Sequence, residues 1–246
     1  MQDGTTGARD RGLIGALFQV GAHIGYSRAR RHASMKSFIF GSKGKTDIID
    51  LEKTAALADA ALAYVRSLGA SQKTILFVGG KPEVRDVVRE VAEGLSQPYV
   101  AGRWLGGTLT NFSEIKKRIQ RLAELLSDRE RGVLAQKYTK KERVLLDREI
   151  TKLELNFGGL AGVERLPDAL VIVDTRAEHI AASEAKTLGI PVIGIMNSDC
   201  DLSSATYPLI GNDASRASVK LFLSQITDAY REGQKGNVTK EATGSA

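Results

Sequence analysis

The sequence predicts an α/β protein, a mostly parallel sheet covered by helices on both faces and carrying a helical insertion. Three observations lead there. Short Val- and Ile-rich runs at 73–78, 169–173 and 192–195 have no polar face, as expected of strands buried on both sides. Helical stretches alternate with them, the pattern of crossover connections. Between 111 and 157, two adjoining segments repeat apolar residues at 3/4 spacing without a strand between them.

The elements follow in chain order. Leu13, Leu17, Val20 and Ile24 recur at helical spacing and predict a short amphipathic helix rather than a signal peptide, since no small-x-small cleavage site follows. A basic, glycine-punctuated loop is expected over 25–37. Phe38-Ile39-Phe40 and Asp47-Ile48-Ile49 predict two short strands, with Phe38 and Phe40 facing the core together. The alanine-rich stretch 51–68 predicts a helix. After the strand at 73–78, Pro82 suits the first position of another helix, with Val84, Val87, Val88 and Val91 inward. Pro98-Tyr99-Val100 predicts a short strand.

Asn111 with Glu114, and Thr139 with Glu142, read as two capping boxes. Behind them, Phe112, Ile115, Ile119, Leu122 and Leu126, then Leu146, Ile150, Leu153 and Phe157, form two narrow apolar seams. They predict an antiparallel helical hairpin, a short coiled coil whose helices zip together. A helix over 178–188 ends at Gly189, and Tyr207–Ile210 is a further strand. Asn212 or Asp213 is expected to cap a last helix with Val219, Phe222, Leu223, Ile226 and Tyr230 on one face. The expected division is an α/β core over 1–110 and 158–232, a hairpin insertion over 111–157 and a disordered polar tail over 233–246.

Lys and Arg number 35 against 29 Asp and Glu in 246 residues, a mild excess that suits polyanionic partners. Its placement says more. The first 45 residues hold Arg9, Arg11, Arg28, Arg30, Arg31, Lys36, Lys43 and Lys45, opposed only by Asp3 and Asp10. Arg28, Arg30 and Arg31 are candidates to fork onto phosphates, with Lys36, Lys43 and Lys45 as point charges. Arg103 and Trp104 form a second candidate: the ring can stack on an exposed base or anchor the core beneath Gly106-Gly107. Lys116 and Lys117, with Arg118 and Arg121, offer a third basic surface on the insertion. A single cysteine, Cys200, excludes an intrachain disulfide and suits the cytosol or an organelle matrix. No apolar run approaches the roughly 18 residues of a membrane span.

Enzyme chemistry is thin. Gly79-Gly80-Lys81 is neither a dinucleotide fingerprint nor a Walker loop, and reads as a tight turn. His23, His32 and His179 are scattered. Asp174 or Thr175 is expected to cap a helix, and Asn197, Asp199 and Asp201 to form a turn rather than hold magnesium. No catalytic residue, metal or cofactor is expected. The competing reading is a nucleotide-binding enzyme using the crevice beside Gly79, Asp174 and Asn197.

Over roughly residues 18–233 the chain resembles the bacterial type of small-subunit ribosomal protein S-two. Gly21-Ala22-His23-Ile24-Gly25 is similar to the family's opening G-x-H-[FI]-G. Met35-Lys36 with Phe38-Ile39-Phe40-Gly41, Asp50-Leu51-Glu52-Lys53-Thr54, and Ile75 to Gly79 with Lys81 follow in order. Arg103-Trp104-Leu105-Gly106-Gly107 with Leu109-Thr110-Asn111 is the most specific match, and Leu166-Pro167-Asp168-Ala169, Glu178-His179-Ile180-Ala181 and Ile210-Gly211-Asn212-Asp213 come later. The chain departs from the family pattern at 29–34, at Gly102 and at 197–202. The resemblance implies a Rossmann-like, flavodoxin-like core with an inserted helical hairpin and no enzymatic activity. It also implies contact with small-subunit rRNA near the head–body junction and with neighbouring small-subunit proteins, and support for docking of the large S-one protein in bacteria that have it. Neither a membrane nor a second copy of the chain is an expected partner.

Overall fold

The structure, a computed structural model, describes residues 12–243. Residues 1–11, with Arg9 and Arg11, and residues 244–246 lie outside the described ones. Two sheets organise the chain. A three-stranded antiparallel sheet has the order β1 (Ile24–Ser27), β3 (Thr46–Ile49), β2 (Ile39–Lys43). A five-stranded sheet, parallel throughout, has the order β5 (Tyr99–Val100), β4 (Ile75–Val78), β6 (Ala169–Val173), β7 (Val192–Met196), β8 (Tyr207–Ile210).

Strand alternation sorts the large sheet's side chains into two cores. Ile75, Phe77, Val171, Val173, Ile193 and Ile195 face one cluster. It is closed by a helix over 12–19 (α1), α2 (Leu51–Ala70), α3 (Arg85–Gly94) and α8 (Arg216–Thr243). Leu76, Val78, Leu170 and Ile172 face the other, covered by α4 (Phe112–Glu130), α5 (Val133–Lys137), α6 (Lys140–Phe157) and α7 (His179–Thr187). The seam of α4 and α6, with Ile115, Ile119, Leu122, Leu125, Ile150, Leu153 and Phe157, is continuous with this second core.

Several elements depart from expectation. The segment 25–37 is not a plain loop: it holds β1 and two 3₁₀ turns, Arg28–Arg30 and Ala33–Phe38. Ile24 leaves the first helix's apolar face for β1 and is exposed. Phe38 and Phe40 do not share a face. Phe38 closes a 3₁₀ turn and packs on the core, whereas Phe40 is 80% exposed. The register slips between Ile39 and Gly41, so Phe40 is the unpaired residue of a bulge, which re-aims its side chain. Pro82 lies in a turn and α3 starts at Arg85. The Thr139–Glu142 capping box forms, but the Asn111 side chain caps nothing, and Glu114 pairs with Lys117 instead. Asn212 Oδ1 accepts from Ala214 and Ser215 N–H before α8, while Asp213 is used elsewhere.

Helix α8 runs to Thr243, past position 233 where the polar tail is expected to begin. A nucleated helix gains one hydrogen bond per added residue. Here it is also seated: Gly233 is buried against α2, and a Cβ on it would lie 2.1 Å from the Arg66 carbonyl oxygen. One turn earlier a Cβ on Gly69 would lie 2.1 Å from the Tyr230 carbonyl oxygen. The two helices cross in backbone contact. Gly69→Ala therefore reverses the usual helix rule. Alanine should raise stability by about 1 kcal/mol in an open helix, but here a loss of about 1–3 kcal/mol is expected in urea unfolding. A gain would mean that α2 and α8 can separate freely.

Candidate nucleic-acid interface

The carboxyl ends of the parallel strands are where an α/β protein usually takes a ligand. Lys81 occupies them here. It leaves the turn after β4, and its Nζ pairs with Asp174 after β6 and with Asp213 after β8, the latter at 3.3 Å. Nζ also donates to the Tyr26 hydroxyl of β1 at 3.3 Å. Asp213 is fully buried, and Asn197 Nδ2 donates to its other oxygen at 3.2 Å. Asp174 does not cap the helix, whose N-cap position is Glu178 without a side-chain cap, but it holds the β6–α7 turn by accepting from the Arg176 and Ala177 N–H groups. It does so at φ 63°, a left-handed conformation that aspartate tolerates better than most residues. Beside it, Asp199 Oδ2 receives Arg30 Nη2 and Arg176 Nη1, each at 2.8 Å.

Three cations therefore meet three carboxylates. Burial, then Asp174, pushes the Asp213 carboxyl up to about 6 against the pull of Lys81. Burial would lower the Lys81 ammonium, but Asp213 and Asp174 outweigh it and raise it. Asp174, Cys200 and Asp213 lie close enough to hold a metal ion, yet Lys81 already supplies a cation to both carboxylates. The buried Cys200 thiol is pushed up to about 12, chiefly by burial, and does not make a thiolate nucleophile near neutral pH.

The basic segment divides into spoken-for and free groups. Arg31 forks onto Asp47, with Nε at 2.6 Å from one carboxylate oxygen and Nη2 on the other. Asp47 is fully buried, and the Arg31 hydrogen bonds hold its carboxyl below the ordinary range despite burial. Arg31 is thus a structural partner before it is a phosphate ligand, which corrects the expectation of uncompensated charge here. Arg30 shares Asp199 and also lies 4.3 Å over the Tyr26 ring. Arg28, Lys36, Lys43 and Lys45 are exposed and make no ion pair among the described residues. Lys116 and Lys117 are exposed on α4; Lys117 pairs with Glu114, and Lys116 reaches the Glu164 carbonyl at 3.4 Å.

Arg103 is exposed, but Trp104 is only 4% exposed and its ring is a core anchor, not a stacking platform. What holds it is Glu184 of α7, a residue that sequence reasoning missed. The buried Glu184 carboxylate accepts from Trp104 Nε1 (3.2 Å) and the N–H groups of Gly107 (2.7 Å), Leu109 (2.8 Å) and Thr110 (3.0 Å). Burial would raise this carboxyl, but the backbone donors together with the indole hold it below the ordinary glutamate value. The signal available was one acid on the inner face of an otherwise alanine-lined helix.

Several of the segments that resemble one family meet in these two carboxylate-centred assemblies, and the comparisons agree with the resemblance. The family model described as Ribosomal protein S2 matches residues 17–233. The chain belongs to the ribosomal protein S2 family. The small ribosomal subunit protein uS2 of Pseudarthrobacter chlorophenolicus is 42% identical over 231 residues, covering 92% of this chain and 79% of the relative. That of Acidothermus cellulolyticus is 43% identical over 227 residues, with 92% and 82% covered. That of Micrococcus luteus is 42% identical over 217 residues, with 88% and 76% covered. Two family segments in this chain, Ile75–Gly79 with Lys81 and Ile210–Asp213, meet at the Lys81 ammonium. A third, the Arg103–Asn111 loop, wraps Glu184.

Lys81→Met should lower stability by about 3–5 kcal/mol, because it leaves buried carboxylates facing one another without their cation. Chemical unfolding at pH 7 measures this, and a change under about 1 kcal/mol would mean that water replaces the ammonium. Glu184→Gln should lower stability by about 2–4 kcal/mol and flatten the acid limb of the stability–pH curve. The sign follows from a folded pKa below the unfolded value: the contribution is complete above about pH 4.3 and disappears as pH falls through the folded value. Parallel acid limbs for the two proteins would remove Glu184 as the source.

Proposed function

We propose that the chain is a non-catalytic structural constituent of the small ribosomal subunit that docks on small-subunit rRNA and on neighbouring proteins. The observation that carries the reading is the group of exposed cations Arg28, Lys36, Lys43 and Lys45, without an ion pair among the described residues, together with a strand-end crevice held by the protein's own ions. Such cations exchange condensed counterions for phosphates, the main source of affinity for RNA. Lys81 is held between Asp174 and Asp213, the place where an enzyme of this architecture would take substrate. Arg103, Lys116 and Lys117 extend the proposed surface towards the insertion.

The finer reading is a Rossmann-like core of the flavodoxin type, supported by the spatial order second-first-third-fourth-fifth in the parallel sheet. Residues 111–157 are then an antiparallel helical hairpin inserted into it. The shared seam and the Arg121–Glu149 pair support this. Placement near the head–body junction, support for docking of the S-one protein and a cytoplasmic ribosome are further parts of the proposal; no helix among the described residues is long and apolar enough to cross a membrane.

The test is salt dependence. Changing Arg28, Lys36, Lys43 and Lys45 to Gln should flatten the slope of log K against log salt by roughly three to four units for a duplex rRNA fragment. Incorporation into small subunits should fall, with little change in stability. Arg31→Ala should instead destabilise the fold by stranding Asp47. An unchanged slope in the four-site variant, with normal incorporation, would assign these cations to solvent.

A further inference from the structure

A cavity of about 590 Å³ opens on the outer side of the Asp199 ion pairs. Its polar lining includes Arg30, His32, Arg176, His179, Lys186 and Ser183. The electrostatics are unbalanced in one direction. Arg30 and Arg176 converge on a single oxygen of Asp199, a carboxylate whose side chain is 2% exposed, while each arginine remains 52% exposed. One carboxylate thus answers two guanidinium groups, and each guanidinium has further N–H donors. Lys186 is exposed and makes no ion pair of its own among the described residues. His32 and His179 are exposed and line the same cavity, with His32 Nδ1 3.9 Å from an Asp201 carboxylate oxygen. Asp201 is the opposing acid, and its carboxyl accepts from the Ser203 N–H at 3.0 Å and hydroxyl at 2.8 Å.

We propose that this cavity is a phosphate-binding pocket, in which Arg30 and Arg176, oriented by Asp199, and Lys186 hold one phosphate group. The pocket shares Arg30, Arg31 and His32 with the 28–45 segment but none of the cations Arg28, Lys36, Lys43 and Lys45. Asp199 fixes both forks, so the arginines meet a phosphate already oriented rather than ordered on binding. The phosphate is either a backbone phosphate of the bound RNA or a free phosphate. The first source rests on the rRNA-docking reading; the pocket itself does not.

Two readouts separate these. Imidazole NMR signals of His32 and His179 in the intact chain are followed during titration with inorganic phosphate and with pyrophosphate. Saturable shifts of both histidines are expected, weakened at least tenfold in Lys186→Gln, which breaks no ion pair and so tests the pocket without endangering the fold. Arg176→Gln should abolish the shifts. In parallel, the salt slope for an rRNA fragment is compared between the native chain and Lys186→Gln. A slope flattened by about one unit identifies the occupant as an RNA phosphate, and an unchanged slope alongside saturable shifts identifies it as free phosphate. Absence of saturable histidine shifts with both probes, or shifts unaffected by Lys186→Gln, overturns the pocket, whatever the fate of the Arg28–Lys45 surface.

Discussion

The ammonium of Lys81 is the constraint on which the strand ends depend. It follows β4 and is reached by side chains that follow β6 and β8 and by Tyr26 from the small sheet. Burying such charges costs several kcal/mol per ion, which mutual attraction offsets only when the geometry is good. A slip of one residue in β4 or β8 would leave a buried carboxylate unanswered, so the cluster contributes more to uniqueness of register than to net stability. It also seats the three-stranded sheet: the Tyr26 N–H donates to Ser198 Oγ, and Gly25 leaves room for that approach, since a Cβ there would meet the same oxygen at 3.1 Å.

The buried parallel strands were legible because both faces of each are apolar, and a short Val- and Ile-rich run without a polar face suits a strand covered on both sides. Helices α2, α6 and α8 announced themselves by composition, by periodicity or by a cap, as with the alanine-rich run of α2 and with Thr139 before α6. The small sheet was not legible at β1, where Tyr26 and Ser27 carry no alternating pattern and the partner strand lies some twenty residues on. Phe40 misled because a bulge resets the alternation that placed it inside. Trp104 was ambiguous until Glu184, eighty residues away, supplied the acceptor for its indole N–H. For β1 and Trp104 the deciding partner was remote in sequence, whereas for Phe40 it was a local slip against the next strand.

Counting charge along the chain overstated the free charge of the basic segment for the same reason. Locally, Arg30 and Arg31 have no acid to answer them. In space, Asp199 and Asp47 do, one from the loop after β7 and one from β3. What remains for a polyanion is a narrower set of lysines with Arg28, on a scaffold stiffened by the pairs that removed the others. Rigid presentation lowers the ordering cost of binding, so fewer contacts can support the same affinity.

The close crossing of α2 and α8 has a consequence for how the molecule is made. The apolar face of α2 cannot be covered until Phe222, Leu223, Ile226 and Tyr230 have been translated. At bacterial elongation speeds the interval between the two helices is roughly ten to thirty seconds. During that time Ala58, Ala61 and Val65 lack the cover that α8 supplies, and the nascent chain presents a sticky surface of its own. The choice of alanine and glycine along α2, which permits backbone contact later, also keeps that surface shallow while it waits.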